Sequence, residues 1–335
     1  MPDQRRHVMT HSARVVSFGL AALVTSMSTP AGAQDTIRFD PTVGYPTFTV
    51  REPVLRVSPG VTLISRTNHG GYYTPEGGAF PGEVGPIYVE GATTDDILVV
   101  RIIEVRPNYE YAAANVRPTF GGLSADNRVR FLNDPIPTRR YVWSLDLDAM
   151  TGTTSLPDSE MGEITIELKP MLGRVAVAPR GEEALAGLWP GDFGGNMDAP
   201  EVRPGTTVYL PIFHDGAYLY FGDGHARQGY GEVTGTGLET SMDVVLEIDL
   251  IKGRTIDWPR LEDEDYIMVA GSARPLIDAY RLAHVELIEW LEEAYGFGRW
   301  DAYELVGQLG ESTVANIVDP AYTVLAKFPK RYLPR

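Results

Sequence analysis

The 335-residue chain contains no cysteine. Disulfides, thiolate nucleophiles and cysteine zinc sites are thereby excluded, and stability has to come from the apolar core. Basic charge is also scarce: 29 Lys and Arg stand against 45 Asp and Glu, a formal net charge of −16. So acidic a surface repels phosphate backbones and anionic lipid, which counts against nucleic acid and peripheral-membrane partners. After residue 33 no apolar run approaches the ~20 residues of a membrane span. A G-x-S-x-G elbow, a Walker loop and a dinucleotide fingerprint between strand and helix are all missing, so serine α/β-hydrolase and nucleotide chemistry are not expected.

What the chain has in excess is punctuation, 35 Gly and 25 Pro. Turn residues at that density favour short strands over a helical bundle. The N-terminus reads separately. Arg5, Arg6 and Arg14 precede a mostly apolar stretch from Val15 to Met27, and Ala31-Gly32-Ala33 stands before Gln34. This is the layout of a secretory signal peptide over 1–33, cleaved to a mature chain starting at Gln34 and located in the periplasm or outside the cell. The Arg5-Arg6 pair leaves open whether export is general or twin-arginine.

From 34 to about 255 the texture is β. Runs rich in β-branched residues at 60–65, 96–103, 162–168, 174–178, 206–211 and 242–248 are bounded by Gly, Pro, Asp or Asn. Glu182–Leu188 reads as one turn of helix. From 256 to 335 the chain is expected to be mainly helical. Leu276, Tyr280, Ala283, Leu287, Leu291 and Ala294 form an apolar stripe ending at Gly296. A second helix is expected from Asp301 to Leu309, with Asp301 as N-cap and Glu304 as its capping-box partner. The fold class is therefore mainly β, sandwich- or barrel-like, with a C-terminal helical segment, α+β overall. No repeat or linker divides 34–335.

Two glycine-rich islands concentrate polar groups, Pro190–Asp198 and Phe221–Glu232. Glycine permits close backbone approach and positive φ, both common in active-site loops. In an extended chain Asp223 and His225 point to the same side. The pair reads as half of a metal site, as a base with its orienting carboxylate, or as a hairpin turn with a surface histidine.

Several blocks resemble the acetamidase/formamidase family. They are Gly85-Pro86-Ile87-Tyr88-Val89-Glu90-Gly91-Ala92, Arg174-Val175-Ala176-Val177-Ala178-Pro179, Gly194-Gly195-Asn196-Met197-Asp198 and Val208-Tyr209-Leu210-Pro211-Ile212-Phe213. Gly222-Asp223-Gly224-His225-Ala226 comes next, then Gln228 and Gly231-Glu232-Val233-Thr234-Gly235-Thr236. An Asp319-Pro320 pair near the end matches in layout. The resemblance implies a mainly β fold, a divalent metal, most often zinc, and hydrolysis of short aliphatic amides to carboxylate and ammonia. Three positions depart from the pattern: Phe193 where His is frequent, Tyr230 where Asp is common, and Asn68 in Asn68-His69-Gly70-Gly71, a turn expected to carry Asp.

Amide hydrolysis needs an activated water, a charge for the oxyanion and a proton for the leaving nitrogen. With the family as guide, His225, Asp198 and Asp223 are the expected metal ligands and His69 a fourth. Glu232 is the expected proton carrier, against a solvated strand glutamate. Glu90 reads equally as a carboxylate holding a ligand or as a turn cap, and Asn196 as an oxyanion donor or a loop brace. His225 and Asp198 should meet through the strand near Thr206–Leu210. The expected partner is a small amide, in a monomer or a homo-oligomer. The three departures support a second reading, a non-catalytic β-sandwich binding module.

Overall fold

The β-branched runs form strands where the sequence places them: Val61–Arg66, Ile97–Pro107, Gly162–Glu167, Met171–Ala176, Thr207–Pro211 and Met242–Ile251. The structure, a computed structural model, describes residues 35–123 and 136–334. The signal peptide expected over 1–33 lies outside them, and the strands and helices all belong to the compact unit Gln34–Arg335.

Nine strands make one sheet, in the order Thr36–Arg38, Val61–Arg66, Met242–Ile251, Ile97–Pro107, Thr207–Pro211, Arg260–Glu262, Tyr266–Ala273, Tyr322–Pro329, Glu311–Asn316. Six make a second: Pro190–Gly191, Gly194–Asn196, Met171–Ala176, Leu219–His225, Val84–Val89, Leu55–Val57. Val61–Arg66 alternates buried and more open positions, as a strand with one core face should. Leu63, Val100, Val208 and Leu246 of the first sheet share one apolar cluster with Ile87, Val175, Leu219 and Phe221 of the second. The two sheets thus sandwich the core. A four-stranded meander of Tyr111–Val116, Arg139–Asp146, Thr151–Leu156 and Gly162–Glu167 stands beside them. The fold is mainly β with two α-helices among the described residues, as expected.

Helix α1 spans Leu276–Tyr295 and α2 Arg299–Leu309. Gly296 closes α1 in the left-handed conformation, φ 70°. The buried stripe of α1 is Ala279, Ala283, Leu287, Trp290 and Leu291; Tyr280 and Ala294 are exposed instead. Small residues face the sheet because the helix lies close. A Cβ at Gly271 would sit 2.5 Å from Ala279 O. Asp301 is not the cap of α2: Gly298 holds that position and Asp301 lies in the first turn, where a carboxylate still favours the helix dipole.

Two further expectations are corrected. The segment 256–335 is not mainly helical, because Arg260–Glu262, Tyr266–Ala273, Glu311–Asn316 and Tyr322–Pro329 are strands that complete the nine-stranded sheet. Within Glu182–Leu188 the only regular element is Leu185–Ala186, a short strand paired with Thr47–Phe48. No helix of the described residues is long and apolar enough to cross a membrane.

Candidate active site

The strands Met171–Ala176 and Leu219–His225 are buried along their whole length. The first island supplies Gly194–Asn196, paired to one edge of Met171–Ala176; the second supplies Leu219–His225, paired to the other. The islands therefore meet across Met171–Ala176, not through Thr207–Pro211, which belongs to the other sheet. Gly173 lies between them. The Asp198 backbone N–H donates to Gly173 O at 3.1 Å. A Cβ at Gly173 would stand 2.5 Å from Asp198 Oδ1 and 2.6 Å from Asp223 Oδ2. Glycine is required here so that two carboxylates can converge over the strand.

Asp198, Asp223 and Glu232 adopt positive φ of 44°, 55° and 46°. Such backbone costs of order 1–3 kcal/mol per residue and persists only where the surroundings impose it. Ligand atoms of Asp198, Asp223 and His225 lie within 4.8 Å of one another, and so do those of His225, Glu232 and Glu239. His225 is the shared member. Its Nε2 is 3.3 Å from Glu239 Oε2 and 3.5 Å from Asp223 Oδ2. Its Nδ1 is 2.8 Å from Gln228 Oε1. Gln228 Nε2 donates to Asp198 O at 2.6 Å and to Ala315 O at 3.2 Å, so only its oxygen is left for the ring. A proton is assigned to Nδ1 on that network, and Nε2, the nitrogen that gains or loses the second proton, faces the carboxylates. His225 Nε2, Asp198 Oδ1 and Glu239 Oε2 are buried without a hydrogen-bond partner.

Six carboxyls, those of Glu83, Asp198, Asp223, Glu232, Glu239 and Asp319, are buried with Arg174 and His225. That many negative charges in low dielectric must be offset by protons or by a cation. Burial raises Glu83 and Asp319 to about 7. Burial, then the charge of Glu232, holds Asp198 well above the usual carboxylate range. Glu232 is likewise held well above it, mainly by burial and against the opposing pull of His225. Asp223 is the exception: burial pushes it up, but Arg174 and His225 outweigh burial and keep it ionised. On His225, burial favours the neutral ring, while Glu239 and Asp223 outweigh it and raise the pKa. A divalent cation would compete with protons for these same atoms. The donor set, one imidazole nitrogen among carboxylate oxygens, fits Zn²⁺ or a comparable ion.

The cluster forms the floor of a cavity of about 510 Å³, where Arg174, Asn196, Asp223, Glu232, Glu239 and Asp319 reach the lining. Asn196 is fully engaged. Its Nδ2 donates to Asp198 Oδ2 and Asp319 Oδ2, each at 2.6 Å, and its Oδ1 accepts from Arg174 Nε. It braces carboxylates and has no donor left for an oxyanion. Arg174 Nη1 also donates to Glu83 Oε1, and Phe80 lies over its guanidinium at 4.6 Å.

Two expected residues fall elsewhere. Glu90 pairs with Arg56 at 3.3 Å on the surface, both side chains about half exposed. His69 belongs to neither ligand group: its Nδ1 meets Ser241 Oγ at 3.2 Å, and it lines another cavity with Asn108, Tyr109 and Asp243. The three departures also miss the floor. Phe193 packs on Phe48 in the core, Tyr230 OH donates to Glu201 Oε1, and Asn68 Nδ2 donates to Gly82 O. Glu239, Glu83 and Asp319 had no assigned role, because each is a lone acid whose partners lie far away in sequence. Only the block around Gln228 carried a local signal, a carboxamide three residues after His225.

Comparisons with known proteins identify the family. Residues 173–331 match the model of the acetamidase/formamidase family. The crystal structure of an acetamidase from Yersinia enterocolitica superposes with a TM-score of 0.82 at 34% identity, covering 91% of this chain and 95% of that one. The chain belongs to the acetamidase/formamidase family. The acetamidase of Mycolicibacterium smegmatis is 29% identical over 293 residues, 67% of this chain and 71% of its own. The formamidase of Methylophilus methylotrophus is 25% identical over 302 residues, 70% and 72% of the two chains. The family match spans Gly173, Asp198, Asp223, His225, Glu232, Glu239 and Asp319 together.

Proposed function

We propose that this family member is a metal-dependent amidohydrolase, cleaving a linear amide to a carboxylate and ammonia after export to the periplasm or the exterior. The observation that carries the metal reading is the orientation of His225: Gln228 accepts from Nδ1, so Nε2, once a cation displaces its proton, is the nitrogen that meets the buried carboxylate oxygens. Asp198, Asp223 and His225 would hold the ion, with Glu239 beside them. A bound Zn²⁺ would polarise the amide carbonyl and lower the pKa of its water to about 7. Arg174 supplies fixed positive charge beside the reacting carbonyl, and Phe80 shields it from water. Glu232 carries the proton. Burial raises its pKa and so favours the protonated carboxyl, the form that can donate to the nitrogen as the C–N bond breaks. Export is supported by the charged, apolar and Ala-x-Ala order of residues 1–33. The binding-module reading loses its support, since Phe193, Tyr230 and Asn68 do not reach the cavity floor.

Glu232→Gln tests the assignment. The side chain keeps its shape and loses its exchangeable proton. Ammonia release should fall by roughly 10²–10⁴ with bound metal unchanged. The wild-type rate should decline as pH rises through the Glu232 pKa, since the donor is then ionised. Full activity in the variant would remove Glu232 from the mechanism, and loss of metal would make it a ligand.

A further inference from the structure

The floor of the cavity is acidic, while its walls are largely apolar, with Arg117 their one charged member. Tyr72, Phe80, Phe120 and Leu188 face the same space as Glu232 and Asp223. They come from separate segments and are held in place. Phe80 is fixed between the Arg174 guanidinium, at 4.6 Å, and the Tyr72 ring, at 5.7 Å and edge-on. Tyr72 accepts a hydrogen bond from Asn115 Nδ2 at 3.1 Å, and its backbone carbonyl accepts from Arg140. Phe120 lies against Gly235, where a Cβ would come within 2.5 Å of its ring. Leu188 is 42% exposed, an apolar side chain at the rim. A volume of about 510 Å³ falls within the roughly 300–1,000 Å³ of sites that enclose drug-sized ligands. A lone acyl methyl would leave most of it unfilled.

Resting on the function proposed above, we infer that the preferred substrate is a neutral amide with an extended apolar acyl group, aliphatic or aryl, whose carboxamide reaches the acidic floor while its tail lies along Tyr72, Phe80, Phe120 and Leu188. The aromatic and aliphatic walls offer dehydration to hydrocarbon, and the single Arg117 among them is too little to make the wall a polar one. The reaction is unchanged. Water gives up a proton as its oxygen adds to the carbonyl carbon, the C–N bond breaks, and the nitrogen takes a proton from Glu232 and leaves as ammonia, the water's proton replacing the one Glu232 donates.

The test is a series of acetamide, butanamide, hexanamide and phenylacetamide, with ammonia release measured from the zinc-loaded full chain. The value of kcat/KM should rise about fourfold for each methylene that becomes buried. Leu188→Asp, at an exposed position, and Phe120→Ala should each reduce the hexanamide-to-acetamide ratio at least tenfold. A ratio at or below one in the wild type, with acetamide still hydrolysed, overturns this inference and leaves the proposed function standing. So does a rising series that neither variant alters. Ammonia from no amide at all overturns the proposed function itself, and this inference with it.

Discussion

A carboxamide has a donor end and an acceptor end, and at Gln228 the donor end is committed to the carbonyls of Asp198 and Ala315. The acceptor end therefore has to face His225, and one neutral side chain fixes the tautomer of the histidine at the centre of the cluster. Gln228→Leu should weaken zinc binding 10- to 100-fold, the usual cost of losing the partner of a ligand histidine. Competition against a chromophoric chelator measures this without reference to turnover. Gln228→Glu keeps the acceptor but sets a carboxylate oxygen against the Asp198 and Ala315 carbonyls, so it should restore the affinity only in part. Equal zinc affinity in wild type and Gln228→Leu would separate Gln228 from the metal. Asn196 acts in a similar way on two carboxylates. Its position was legible in the sequence; its role was not, because an asparagine in a glycine-rich block reads equally as an oxyanion donor or a brace.

At the scale of elements, the strand Met171–Ala176 does the organising, by pairing one island on each edge. A Cβ at Gly173 would lie closer than 3 Å to two carboxylate oxygens, and the backbone strand around it cannot yield. Gly173→Ala should displace Asp198 or Asp223 and reduce zinc affinity by at least 10-fold, with the far-ultraviolet circular dichroism of the fold preserved. Unchanged affinity would mean that neither oxygen holds metal. Strands were readable because β-branched runs and turn residues are local signals, and α1 because its period is local. The strands after 256 were obscured by the two helices between them; Glu311–Asn316 pairs with Tyr322–Pro329 at the sheet edge and lacks a strong alternating pattern. The carboxylates of the cluster could be placed only through family blocks. Glu83 and Glu239, 156 residues apart, come together through sheet pairing alone, and no spacing rule reports that.

Across the whole molecule the charge is −16, and its densest part is buried in one place rather than spread in solvent. Six carboxyls around one guanidinium and one imidazole leave an excess of negative charge that protons or a divalent cation must neutralise. Glu83 and Asp319 meet that demand with protons when raised to about 7, while the geometry around His225 Nε2 is suited to a metal. The cavity then connects this charged floor to largely apolar walls, in a pocket lined by residues from many separate segments of the chain. The central claim, that amide hydrolysis depends on a divalent ion at His225, Asp198 and Asp223, is tested most directly by ammonia release from chelator-treated protein as zinc is added back in measured amounts. The rate should be near zero in the stripped protein and rise in proportion to zinc bound until the site is filled. A stripped protein that releases ammonia at the full rate would contradict it.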